Sequence, residues 1–176
     1  MLIPAVIIVL LVLLLIVITT RPADFRISRT ATMSAPPEAP FAEVNDFHRW
    51  EEWSPWAKMD PAMKTTYSGP PQGTGASYAW VGNGKVGEGR MTILESQPAS
   101  IVRIKLEFLK PFQATNLAEF TFQPQGNQTA VTWNMSGTRN FMMKAMSLVF
   151  NMDKVIGAQF DQGLAQMKAI AESGKK

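Results

Sequence analysis

Three of the five tryptophans in this 176-residue chain, Trp50, Trp53 and Trp56, fall within seven positions in the stretch WEEWSPWAKMDP. An indole is a large apolar surface with one N–H donor. Such a cluster therefore makes either a core or the wall of a pocket that orients one polar group of a ligand. Other reactive side chains are few. The chain has no cysteine, which excludes disulfides, thiolate metal sites and a thiol nucleophile. His48, the only histidine, cannot alone form a catalytic dyad or a histidine-rich metal site, and a surface role is expected for it. Acid–base chemistry needs a positioned group of tuned pKa; the Tyr78 hydroxyl, the Asn116 amide and the indole N–H groups are the inward-facing polar candidates. GNGKVG, residues 82–87, matches G-x-G-x-x-G literally. Strand patterns flank it on both sides and no helix follows to receive a pyrophosphate, so it is not read as a nucleotide site.

The elements that must hold these groups follow from periodicity. Phe25 and Ile27 open an alternating strand that runs to about Met33. SAPPEAPFAEVNDFHRWEEW then reads as two short helices, with Asn45-Asp46 as a break and new cap, and a stop near Trp53 because Pro55 disfavours helical geometry at Ser54. Trp56 is expected in extended chain. From Lys64 to Ser136 the pattern is a six-strand meander. It includes a two-residue Asn83-Gly84 hairpin turn and the alternating run IVRIKLEFL, which signals one buried and one wet face. Parity points Tyr78, Trp80, Met91, Ile93, Leu106, Phe108, Phe120, Phe122, Trp133 and Met135 inward. Glu88, Arg90, Arg103, Lys105 and Glu107 fall on the wet face. Met152, Ile156, Phe160, Leu164, Met167 and Ala171 recur at helical spacing, and the Met-rich run FMMKAMSLVFNM is expected to lead into this terminal helix, the cover of the sheet.

The N-terminus has a different character. Leu2 to Ile18 holds fifteen Leu, Ile or Val residues and no charge. At about −0.5 kcal/mol each they favour membrane insertion by several kcal/mol. A helix ending at Thr20 is about 28 Å long, close to the hydrocarbon thickness. Residues 1–20 are read as a transmembrane anchor, 21–24 as a linker, 25–172 as one domain and 173–176 as a tail. A cleaved signal peptide is the alternative, opposed by the missing basic n-region and A-x-A site. Arg21, Arg26 and Arg29 follow the span and favour a cytoplasmic domain over an exported one. The formal charge of +3 is spread over scattered positions, which argues against a nucleic-acid partner.

The order is strand, two short helices, meander and long terminal helix. It resembles the helix-grip fold of the SRPBCC superfamily, which includes START lipid-transfer domains, the major birch-pollen allergen and polyketide cyclases. The match is closer still to the bacterial polyketide cyclase/dehydrase-like group, on WEEWSPW, YSGPPQGTGASYAW, VGEGRMTI, LEFLKPF, TAVTWNMSG and GAQFDQGLAQMK. The fold class it implies is α+β, a curved antiparallel sheet wrapped on a long C-terminal helix. It also implies a cavity for a hydrophobic small molecule or lipid between the two. Candidate ligand contacts are Tyr78, Trp80, Met91, Phe108, Asn116, Phe120, Trp133 and Met135 from the sheet, Trp53 and Trp56 from the short helices, and Met142 and Met146 at the mouth. No cofactor is implied, and the oligomeric state is left open. The preferred reading is a membrane-anchored binding or carrier domain. A polyketide cyclase or dehydratase is one alternative, and a protein–protein regulator, like relatives that activate a heat-shock chaperone, is another.

Overall fold

Alternation along the chain becomes one seven-stranded antiparallel sheet in the computed structural model, which describes residues 2–174. Helix α1 spans Leu2–Thr20, followed by β1 (Asp24–Met33), α2 (Glu38–Asn45), α3 (Trp50–Trp53), β2 (Lys64–Ser68) and β3 (Ser77–Val81). Next come β4 (Glu88–Gln97), β5 (Ile101–Lys110), β6 (Ala114–Gln125), β7 (Gln128–Thr138), α4 (Phe141–Met146) and α5 (Met152–Glu172). The strand order is β1-β7-β6-β5-β4-β3-β2: a meander whose last strand pairs with the first. Register shifts at Glu88/Gly89 and Ile93/Glu95 in β4 add the local twist that bends a sheet. The result is a sheet curved around α5, the helix-grip arrangement.

Helix α5 runs alongside β1. Arg29 of β1 bonds Asp153 at 3.1 Å and Asp161 at 3.3 Å on α5. Phe160, Leu164 and Met167 point from α5 into the core. On the other face of the sheet, Arg103 pairs with Glu95 and Glu119, and Lys105 with Glu107.

Three local expectations are corrected. Asn83-Gly84 is not a two-residue turn: residues 82–87 form a longer loop between β3 and β4. The Asp60 carboxylate accepts from Asn83 N at 2.7 Å, and the Asn83 side chain accepts from Lys85 N at 2.8 Å. Those bonds satisfy the backbone in a wider path than a hairpin turn allows. Trp56 lies in a 3-10 turn, Pro55–Lys58, not in extended chain. Proline bends only its predecessor, Ser54, out of helical geometry, and its own fixed φ suits the first position of a turn. The Met-rich run forms its own helix. Asn140 caps α4 by accepting from Met143 N at 2.9 Å, and Asn151 caps α5 by accepting from Lys154 N at 3.0 Å. Two caps make two helices.

The ion pair that links the two short helices, buried on its Glu43 side, yields a stability test. Glu43 is buried; its carboxylate accepts from Arg49 Nη1 at 2.7 Å. Burial pushes the Glu43 carboxyl above its usual range, and the Arg49 bond opposes that push. A carboxyl whose folded pKa is raised has its full stability below the unfolded pKa and loses it as pH rises through the folded one. Arg49→Ala removes the opposing cation and should cost about 1–3 kcal/mol at neutral pH, with part recovered on acidification. Denaturant unfolding at both pH values checks this, and an equal loss at both would clear Glu43 of the effect.

Candidate functional site

The grip is solid at one end and hollow at the other. Along β4 to β7 the inward residues Ile93, Val102, Ile104, Phe120, Phe122 and Val131 are all essentially inaccessible and pack with Leu164 and Met167. Toward the β3–β4 loop, the inward positions Met91, Leu106, Phe108, Ala118 and Met135 instead line a cavity of about 190 Å³. Alanine at 118 is what leaves the space: its neighbour two residues on, Phe120, fills the corresponding volume. Tyr78 and Trp80 form one wall. The Trp80 ring lies where a side chain on Gly89 would be, with 2.4 Å to a hypothetical Cβ, so only glycine fits that close approach. Trp50, Ser54, Trp56, Ala57 and Met63 close a second side, and Ile156 and Phe160 of α5 a third. The β3–β4 loop forms the roof through Lys85 and Val86, with Trp80 Nε1 donating to Val86 O at 3.1 Å.

The tryptophan cluster divides between core and cavity. Trp53 is fully buried, donates from Nε1 to Glu43 O at 3.0 Å and packs edge-on against Trp133 and Phe120. Trp50 is spent similarly on Val44 O at 3.1 Å, yet also touches the cavity. Trp56 meets Trp133 and Phe160 edge-on, and those two rings stack at 4.0 Å, forming the floor between core and cavity.

Of the residues expected to contact a ligand, Trp56, Tyr78, Trp80, Met91, Phe108, Trp133 and Met135 line the cavity. Five others do not. Trp53 and Phe120 are core, as above. Asn116 is buried on the inner face, one position short of the lining, and its Oδ1 has no hydrogen-bond partner. Met142 and Met146 are exposed on α4, outside the cavity, and α4 is a separate helix packed with α1 rather than the start of α5. Lining residues outside that expected set include Ser54, Ala57 and Met63 around and after the tryptophan cluster, Ile156 and Phe160 of α5, Val86 and Lys85, hidden by the hairpin assignment, and Ala118. A small residue between Asn116 and Phe120 on an otherwise bulky face was the available signal for Ala118.

Polar chemistry inside is sparse. Burial, with smaller contributions from Tyr67 and Glu51, pushes the Tyr78 hydroxyl up to about 12. A hydroxyl raised in this way is neutral at physiological pH, able to hydrogen-bond a ligand and unsuited to act as a base. The charged lining residues, Glu51 and Lys85, are both exposed and so belong to the rim. His48 stacks on Tyr67 at 4.1 Å and bonds Asp46 at 2.8 Å, away from this lining.

The family model described as "Polyketide cyclase / dehydrase and lipid transport" matches residues 24–172. No curated protein sequence matches significantly. Among solved structures, the Aha1 dimer from Colwellia psychrerythraea is 16% identical with a TM-score of 0.61, covering 86% of this chain and 99% of that one. The di-domain ARO/CYC protein StfQ of the steffimycin biosynthetic pathway is 12% identical with a TM-score of 0.63, over 86% of this chain and 51% of that one. Ara h 8.0201 is 12% identical with a TM-score of 0.55, over 85% of this chain and 96% of that one. At these identities the likeness is one of fold.

Proposed function

The chain belongs to the polyketide cyclase/dehydrase and lipid transport family, and on that premise we propose that β1 through α5 form a binding or carrier domain for a lipid or other hydrophobic small molecule. In this reading α1 tethers the domain to a membrane. The observation that carries it is the cavity itself: largely apolar and aromatic walls, two neutral hydroxyl residues in the lining, Tyr78 and Ser54, and charge confined to the rim. That balance of greasy walls and few orienting groups is typical of small-molecule sites. Its volume decides between ligand classes. A cavity of about 190 Å³ is near the roughly 150 Å³ that accepts a single benzene ring and below the roughly 300–1,000 Å³ of drug-sized sites. It suits the end of an acyl chain or one ring, with the rest of the ligand reaching the rim. A fused polyketide would not fit whole. Helix α1 is long and apolar enough to cross a bilayer, and its large side chains from Ile3 to Val17 are exposed. Arg21 and Arg26, both exposed after the span, support a cytoplasmic domain.

The test is saturable displacement. The domain without α1, residues 22–176, is expected to fold and to bind an environment-sensitive apolar dye that fatty acids displace. A well-folded domain with no saturable site would sink the proposal. Tyr78→Phe then separates carrier from enzyme. A carrier should lose no more than the roughly 0.5–1.5 kcal/mol of one hydrogen bond. A collapse of turnover far beyond any loss of affinity, on a substrate found by product screening, would instead favour cyclase-like chemistry with Tyr78 as the acid.

A further inference from the structure

The sheet has two ends, and apolar surface is confined to one of them. Cross-strand partners place Asp24, Thr138, Ala114, Lys110, Glu88, Val81 and Lys64 along a single edge of the ladder. From this end emerge the chain to α1, the β3–β4 loop that roofs the cavity, the β5–β6 hairpin tip and the segment leading to α4. Outside α1, the exposed large apolar side chains gather here: Val81 on β3, Leu109 and Phe112 at the hairpin, Leu117 near the start of β6, Phe141, Met142 and Met146 on α4, Val149 and Phe150 in the link after it, and Val155 in the first turn of α5. Leu94 is the single exception among the described residues. The opposite end, formed by the β1–α2, β4–β5 and β6–β7 connections and the C-terminus of α5, carries none among the described residues.

Such one-sided exposure marks an interaction surface, and α1 identifies its partner. If α1 spans a bilayer, its last turn lies at headgroup level, since 19 residues rise about 28 Å. Helix α4 is packed against that last turn: Ile18 is buried, and Lys144 Nζ donates to Thr19 O at 3.3 Å. The Phe141–Phe150 segment is thereby held where an interfacial helix places its apolar face. Arg21, Lys85 and Lys154 are exposed around the same end, suited to anionic headgroups.

We propose that this end of the domain docks on the lipid bilayer, with Phe112 and the Val149-Phe150 pair inserted among the headgroups, so that the cavity roof at Lys85 and Val86 opens onto lipid. The proposal rests on the reading of α1 as a membrane anchor. The absence of cysteine makes it directly testable in the full chain. Single variants Val9→Cys, Phe112→Cys, Phe150→Cys and Asn127→Cys, the last at the far end, are labelled with an environment-sensitive fluorophore. Each is reconstituted in phosphatidylcholine–phosphatidylglycerol vesicles carrying nitroxide-labelled lipid. Labels at 9, 112 and 150 should lose fluorescence to the lipid-borne quencher and resist aqueous iodide, while the label at 127 does the reverse. A label at 9 in lipid with those at 112 and 150 in water would overturn the docking face and leave the anchor standing. All four in water would overturn both.

Discussion

Trp53→Ala is expected to destabilise the domain by about 3–5 kcal/mol, a large share of the roughly 5–15 kcal/mol that holds a typical domain folded. The ring has no exposed surface and is packed by Trp50 at 4.6 Å, Trp133 at 5.6 Å and Phe120 at 6.1 Å. Truncation would leave a void that these rigid rings cannot collapse into. It would also free the Glu43 carbonyl, which accepts the Trp53 N–H in a buried setting beside the Glu43–Arg49 pair. Trp56→Ala is the matched comparison. That ring is only partly buried and borders the cavity, so its removal enlarges space that already exists and should cost clearly less. Chemical denaturation of both variants measures the difference. Equal losses, or a larger one at Trp56, would mean that the cluster is not divided between core and wall in this way.

That division shows what sequence patterning can and cannot resolve. Period-two alternation placed Tyr78, Trp80, Met91, Phe108, Trp133 and Met135 on the inner face because a strand sends alternate side chains to one side whatever lies there. The same rule says nothing about position along the face. Phe120 and Met135 share the inner face, yet one fills the solid end and the other lines the hollow end. Depth is set by which opposing residues fill the space: Leu164 and Met167 below, Ala118 and Ile156 above. Such pairings depend on how α5 crosses the sheet, which no local pattern records. The β3–β4 loop escaped for a related reason. Asn83-Gly84 has strong turn propensity, but a carboxylate twenty-three residues earlier, Asp60, holds the loop open through a tertiary bond at 2.7 Å. Helix α4 escaped because hydrophobic periodicity continues across it. Only the two asparagine caps, legible in principle, mark where one helix ends and the next begins.

Ala118→Phe should weaken ligand binding about 100-fold while leaving the domain folded. Ala118 is 4% exposed, faces inward from β6 opposite Met135, and lines the cavity. A phenyl ring there would project into a space of about 190 Å³ and occupy most of it, judging by the roughly 150 Å³ that houses one benzene. Overpacking in a filled core costs about 1–3 kcal/mol, but here the added ring meets empty volume, so the stability change should fall at or below the small end of that range. Binding should suffer far more. Excluding about four methylenes of an acyl chain at about 0.8 kcal/mol each forfeits roughly 3 kcal/mol, equivalent to a loss of about 100-fold in affinity. Leu117→Phe is the parity control: one residue earlier, on the outer face and 36% exposed, it should bind the dye as the parent does. A folded Ala118→Phe domain with unchanged saturable binding would place the ligand elsewhere. A variant that fails to fold, with Leu117→Phe intact, would mean that the hollow end is in truth close-packed, and the carrier reading would fall with it.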